Sequence, residues 1–219
     1  MAFRPRSQDP RAEAARPAGA SPASLSSSAG AGKPCGGLAR ALARAFREER
    51  PQILDIGSLC GDSVVYLARR GSKIHVEEVE APPPVPERRP GEPAPEIPPF
   101  RLDQPDGLFH LVLAWEVVDF VPPGRLAEFG SELRRVLRDG GVVFLFSHAR
   151  PESPRERPPR YLLVADDLIV RQESSRGPIP RYVHPTRDLE RALAGFDIRG
   201  IQLQRNQMRE ISAVKVGMG

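Results

Sequence analysis

Apolar residues in the first well-patterned stretch recur at helical spacing: Leu38, Leu42, Ala45 and Phe46 share one face, and Pro51 ends the element. Gln52 to Ile56 is an apolar run of strand length. Gly57 and Gly61 then punctuate a turn into a helix over Asp62 to Arg70, which Gly71 stops. Lys73 to Val76 predicts a second strand, followed by Glu77-Glu78. Nine prolines between Ala81 and Pro99 exclude a regular helix or central strand there and leave an extended crossover. Phe109 to Trp115 reads as a central strand. Leu126, Phe129, Leu133, Val136 and Leu137 line one side of a helix closed by Asp139-Gly140-Gly141, and Val142 to Phe146 predicts another buried strand.

The last third is less regular. Tyr161–Val164 and Leu168–Arg171 suit a hairpin across Ala165-Asp166-Asp167, which Ile179–Val183 can extend. Thr186 suits the cap of a short helix carrying Leu189 and Leu193 and ended by Gly195. Phe196–Leu203 and Met208–Val216 predict a terminal antiparallel hairpin on a sheet edge. Strand followed by helix, repeated, specifies an α/β fold: a Rossmann-like three-layer sandwich around a mostly parallel sheet.

Composition divides the chain. Of 219 residues, 25 are proline and 19 glycine, and the prolines cluster. Residues 1–34, dominated by Ala, Pro, Ser and Gly, offer almost nothing to a core and are expected to be a disordered extension; 35–219 form the domain. The extension's composition is read as GC-rich bacterial coding rather than a transit peptide. A net charge of +4, from 32 basic and 28 acidic residues, does not argue for a dedicated nucleic-acid binder. No apolar run reaches the roughly 18 residues of a membrane span. Cys35 and Cys60 have neither a metal-binding nor a disulfide spacing, which fits a reducing cytoplasm. Four scattered histidines predict no metal cluster.

In a doubly wound sheet, ligands lie beyond the carboxyl ends of the strands. Asp55, Gly57 and Gly61 fall after the first strand of such a unit. The turn lacks the lysine-serine ending that grips a triphosphate, and its carboxylate suits a cationic or hydroxyl-bearing ligand. Glu78 follows the second strand, a spacing suited to an acid that accepts from ribose hydroxyls. The alternative is a plain turn with a solvated Glu78.

Four segments together resemble the class I S-adenosylmethionine-dependent methyltransferases: Ile53-Leu54-Asp55-Ile56-Gly57-Ser58-Leu59-Cys60-Gly61, Ile74-His75-Val76-Glu77-Glu78, Phe109-His110-Leu111-Val112-Leu113-Ala114-Trp115, and Leu133–Gly141 with the following Val142-Val143-Phe144-Leu145. The resemblance runs from Leu38 to Val216. It implies a seven-stranded sheet with an antiparallel C-terminal strand, S-adenosylmethionine as cofactor, and methyl transfer to a small molecule. It also implies that Asp55, Gly57, Ser58 and Gly61 surround the cofactor's methionine part and that Glu78 holds the ribose. Asp103, after a short Phe100-Arg101-Leu102 strand, would touch adenine. Trp115 and Glu116 would sit beside the sulfonium and the acceptor, Trp115 either facing the cofactor or filling the sheet edge.

Transfer from a sulfonium chiefly requires alignment, with a base only for a protonated nucleophile. Glu116 and Asp119 are the acids expected to orient the acceptor or serve as that base, and His148 is the basic candidate; His75 and His110 are expected to be structural. Asp166-Asp167 and Arg155–Arg160 suit either a substrate lid or a solvated hairpin. Three features depart from the family pattern. Leu59 replaces the middle glycine, Ala114-Trp115-Glu116-Val117 replaces the turn of amino-group methylating enzymes, and prolines replace a crossover helix. Two other classes therefore stand beside the small-molecule enzyme: a catalytically silent binding or scaffold protein, and an RNA or protein methyltransferase suggested by Arg134–Arg138 and Arg155–Arg160.

Overall fold

A computed structural model of the chain describes residues 32–78 and 99–217. Most of the expected extension at 1–34 and of the crossover at 81–99 lies outside the described residues. The elements run β1 (Lys33–Pro34), α1 (Gly36–Ala45), β2 (Gln52–Ile56), α2 (Gly61–Arg69), β3 (Lys73–Glu77), β4 (Phe109–Leu113), α3 (Leu126–Val136), β5 (Leu137–His148), β6 (Arg160–Ala165), β7 (Leu168–Gln172), α4 (Thr186–Ala192), β8 (Phe196–Leu203) and β9 (Met208–Lys215). Two short 3-10 turns, Val117–Phe120 and Pro123–Arg125, join β4 to α3.

Among the described residues the main sheet has six strands in the order β3-β2-β4-β5-β9-β8, and a second sheet has three in the order β1-β7-β6. Pairing is parallel from β3 to β5; β9 enters antiparallel between β5 and β8, as the terminal hairpin predicted. Alternation of side chains across the strands builds two cores. Leu54, Val112, Val143 and Leu145 face α3 and α4, whereas Ile53, Leu111, Phe144 and Phe146 face α1 and the smaller sheet.

The seven-stranded expectation is corrected to six. The missing strand is Phe100–Leu102, whose backbone bonds go to side chains instead. The N–H groups of Phe100 and Leu102 donate to Glu128 (3.1 Å) and Glu132 (2.9 Å), and Arg135 donates to the Leu102 carbonyl at 2.8 Å. Three of the segment's backbone groups thus have side-chain partners in place of ladder partners. The β6–β7 hairpin forms as predicted, but β1 rather than Ile179–Val183 adds its third strand. Pro185, not Thr186, occupies the cap position of α4. α3 ends at Val136, and Asp139-Gly140-Gly141 forms a bulge inside β5, with Gly140 at φ +74°. No helix among the described residues is long and apolar enough to cross a membrane.

The close approach of α3 to α4 rests on Gly130, where an added Cβ would overlap the Ala192 carbonyl oxygen. That neighbour is backbone and cannot swing aside. Overpacking a tight core site costs about 1–3 kcal/mol. Gly130→Ala is expected to lose at least that much in a denaturant titration; wild-type stability would show that the helices have room.

Candidate functional site

The carboxyl ends of β2, β3, β4 and β5 point the same way, so residues just past them converge on one edge of the sheet. Asp55 stands opposite Val76 of β3 and Leu113 of β4. Gly57 follows at φ +132°, a backbone state open to glycine, and a Cβ there would meet Val117 Cγ2 at 3.3 Å. Gly61 opens α2 with nothing within 4 Å of an added Cβ. Ser58 turns away from the loop and donates to the Pro158 carbonyl at 2.6 Å.

Two acids end β3. Glu78 is exposed and accepts weakly from the Leu59 N–H at 3.4 Å. Glu77 accepts from the Asp103 N–H at 2.7 Å through one oxygen, while its other oxygen is buried with no partner among the described residues. Asp103 thus contributes its backbone here, and its residue is exposed.

Trp115 follows β4 with φ +25°, an outlying value for a bulky residue. Its indole N–H donates to Asp55 Oδ1 at 2.6 Å, and Tyr161 stacks on one face, centroids 4.7 Å apart. Burial drives the Asp55 carboxyl up to about 6, against the opposing pull of the Trp115 hydrogen bond. No cation among the described residues comes within ion-pair distance of it.

The three acid–base candidates lie together in a buried cluster. Glu116 is wholly buried and bonded to the guanidinium groups of Arg171 and Arg181 and to the Tyr161 hydroxyl. Asp119 Oδ2 lies 2.7 Å from His148 Nδ1 and accepts from the His148 backbone N–H at 3.0 Å. His148 Nε2 faces Glu152 at 3.0 Å. Burial alone would raise the Glu116 carboxyl, but Arg171, Arg181 and His148 outweigh it and hold it below the usual range. The ligand atoms of Glu116, Asp119 and His148 all lie within 4.8 Å of one another, a spacing that suits a metal ion. Arg181 contacts all three, so a guanidinium supplies the positive charge at their centre.

The remaining candidates are structural. His75 meets the Gln52 side chain at 3.1 Å, and His110 accepts from the Gln52 N–H at 3.0 Å. Asp166 binds Tyr66 of α2 and Arg70 just after it, tying the β6–β7 hairpin to the end of that helix, while Asp167 stays exposed. Arg171, Arg181 and Tyr161 escaped sequence reasoning. They reach Glu116 from 45 to 65 residues away, and no local pattern marks such pairs.

No family model matches the chain, and no curated protein sequence matches it. Solved structures do. The [4+2]-cyclase SpnF superposes with a TM-score of 0.50 at 15% identity, over 82% of this chain and 81% of that one. The Burkholderia thailandensis 1,6-didemethyltoxoflavin-N1-methyltransferase, with bound 1,6-didemethyltoxoflavin and S-adenosylhomocysteine, gives 0.49 at 16% identity, over 83% and 79% of the two chains. A Methanosarcina mazei S-adenosylmethionine-dependent methyltransferase gives 0.48 at 14% identity, over 80% and 97%. The likeness is one of fold.

Asp55 makes stability depend on pH. Its folded value of about 6 exceeds the ordinary 3.8. Its contribution is therefore full below about pH 4 and lost as pH rises through 6, by roughly 3 kcal/mol for a two-unit shift. Asp55→Asn keeps an acceptor for Trp115 and should flatten that slope, raising the melting temperature at pH 7.5. An unchanged slope would assign it to another group.

Proposed function

We propose that the chain binds S-adenosylmethionine at the carboxyl edge of β2 and β3 and transfers its methyl group to a small molecule. The observation carrying this reading is a pair of unmet acids on adjacent parallel strands: buried Asp55, without a cation, and Glu77, with a buried oxygen lacking a partner. A ligand offering a cation to one and hydroxyl donors to the other fits both. Gly57 and Gly61 supply the tight turn and open backbone that close approach requires. When bound, the cofactor supplies a methyl group activated on a sulfonium.

The residues divide into two sets. Asp55 orients the cofactor's ammonium end, Glu77 accepts from the ribose hydroxyls, and Glu78 braces the loop through Leu59. Asp103 bounds the pocket beside Glu77 through its backbone. Glu116, Asp119 and His148 are positioning residues. Glu116 is saturated by cationic donors and both ring nitrogens of His148 face carboxylates, so no basic site of theirs is free for an acceptor. The reaction then relies on alignment. A second reading, binding without transfer, is favoured by the same occupation of Glu116 and His148. An RNA or protein acceptor has less support, because Arg135 is spent on Glu132 and Asp106, and Arg155 on Glu173.

Calorimetric titration of the full chain with S-adenosylmethionine tests the binding. Charge-assisted hydrogen bonds contribute about 1.5–3 kcal/mol each. Glu77→Ala should weaken binding at least tenfold and Glu78→Ala much less; the reverse order would return the ribose to Glu78, and absence of binding would end the reading. Glu116→Gln tests positioning against proton transfer. Breaking a buried ion pair costs about 3–5 kcal/mol, so this variant should melt at a clearly lower temperature. Full stability with transfer abolished would instead mark Glu116 as a base.

A further inference from the structure

The same edge of the sheet carries a second unmet charge. Arg209, near the start of β9, pairs in register with Ser147 of β5 and Leu203 of β8. It is 5% exposed, yet among the described residues no carboxylate lies within ion-pair distance of it. Its guanidinium donates only to neutral oxygens: the carbonyls of His148 (2.5 Å) and His184 (2.8 Å), and the hydroxyls of Ser147 and Thr186 at 3.3 and 3.2 Å. Its Nε is buried with no partner among the described residues. Arginine is almost never buried without a matching anion, because desolvating the charge is costly. Burial weakens this guanidinium's hold on its proton, opposed by the charge of Asp119.

Arg209 lines a pocket of about 370 Å³ whose walls include Val183, Pro185, Ile201 and Leu203, with Thr186 beside the guanidinium. Leu203 is 59% exposed at its rim. β8 runs parallel to β5, so the pocket opens at the carboxyl end of both strands, on the edge that carries Asp55 and Glu77. Volume and lining fit a drug-sized or smaller ligand held by one oriented polar group.

We propose that this pocket binds the carboxylate of a small organic acid with a hydrocarbon body, Arg209 being the anion's partner and the apolar walls receiving the rest. A single guanidinium among apolar walls suits a monoanionic carboxylate better than inorganic phosphate, which needs more donors. The binding stands on this geometry alone. That such an acid is the methyl acceptor rests on the proposed function.

The test uses the full chain in phosphate-free buffer. Hexanoate and benzoate are titrated by calorimetry, alongside hexanamide and inorganic phosphate. The acids should bind saturably at one site, the amide at least tenfold more weakly and phosphate more weakly than the acids. Arg209→Gln should abolish the preference for acid over amide. Because Arg209 also bonds two carbonyls and that variant can fail to fold, Leu203→Glu serves as the second. It places a like charge at the exposed rim and should cut acid binding tenfold or more with the melting temperature nearly unchanged. Equal affinity for acid and amide, no saturable binding, tighter binding of phosphate, or unaltered binding in Leu203→Glu overturns the proposal. Acid binding without S-adenosylmethionine binding would refute the proposed function and leave the pocket standing; the opposite result would do the reverse.

Discussion

The buried carboxylate of Glu116 is the point at which the two sheets are tied together. It sits just after β4, yet its partners come from β6 (Tyr161), β7 (Arg171) and the segment before α4 (Arg181). Without them, ionised Glu116 would be prohibitively costly at zero exposure. With them, the charge is neutralised and the smaller sheet is fixed in direction, because a guanidinium fork accepts a carboxylate in few geometries. Apolar contact alone would let that sheet slide over the Phe144–Phe146 face. The ion network makes its placement specific, and the Trp115 turn inherits that placement through the Tyr161 stack.

Much of this architecture is legible in local sequence. Apolar runs at 52–56 and 109–115, the helical face of 38–46 and the turn at 57–61 each satisfy a short-range rule and each gives its element, although β4 stops at Leu113 and leaves Trp115 in the turn. The failures have a shared cause. Phe100–Leu102 alternates like a strand, but Glu128 and Glu132, on consecutive turns of α3, present carboxylates to its N–H groups. The choice between ladder and side-chain partners is made by a helix some 30 residues on, beyond any window of local pattern. Asp139-Gly140-Gly141 reads equally well as a helix end or a strand bulge, and the apolar Leu137 tips it into β5.

Candidate-site residues divide along the same line. Position at strand ends places Asp55, Glu116 and His148 on one edge, with His148 as the last residue of β5 rather than beyond it. Position says nothing of their electrostatic surroundings, which decide what each can do. Asp55 and Glu116 are both buried acids at the carboxyl ends of neighbouring strands. One has a lone indole N–H and is pushed up; the other has two guanidinium groups and is held down. Environments that drive two carboxyls apart in this way assign them different roles. Glu116 has its charge balanced by Arg171 and Arg181. Asp55 does not, and under the proposed function a cation fills that need.

Arg209 completes that contrast with the opposite sign. A folded chain gains nothing in stability from a buried carboxylate without a cation or a buried guanidinium without an anion; each lowers stability relative to a paired or apolar alternative. Pairing them with each other would remove both penalties, but Asp55 lies near the end of β2 and Arg209 lies across β4 and β5 from it, on β9. Two unmet charges of opposite sign, held apart on one edge of a rigid sheet, suit two ligands or two ends of a reacting pair. Under the proposed function these are a cationic cofactor at Asp55 and an anionic acceptor near Arg209. The sheet then sets their separation, and the Glu116 network between them holds that separation fixed. Alignment, which is most of what methyl transfer from a sulfonium asks of a protein, would follow from the fold itself.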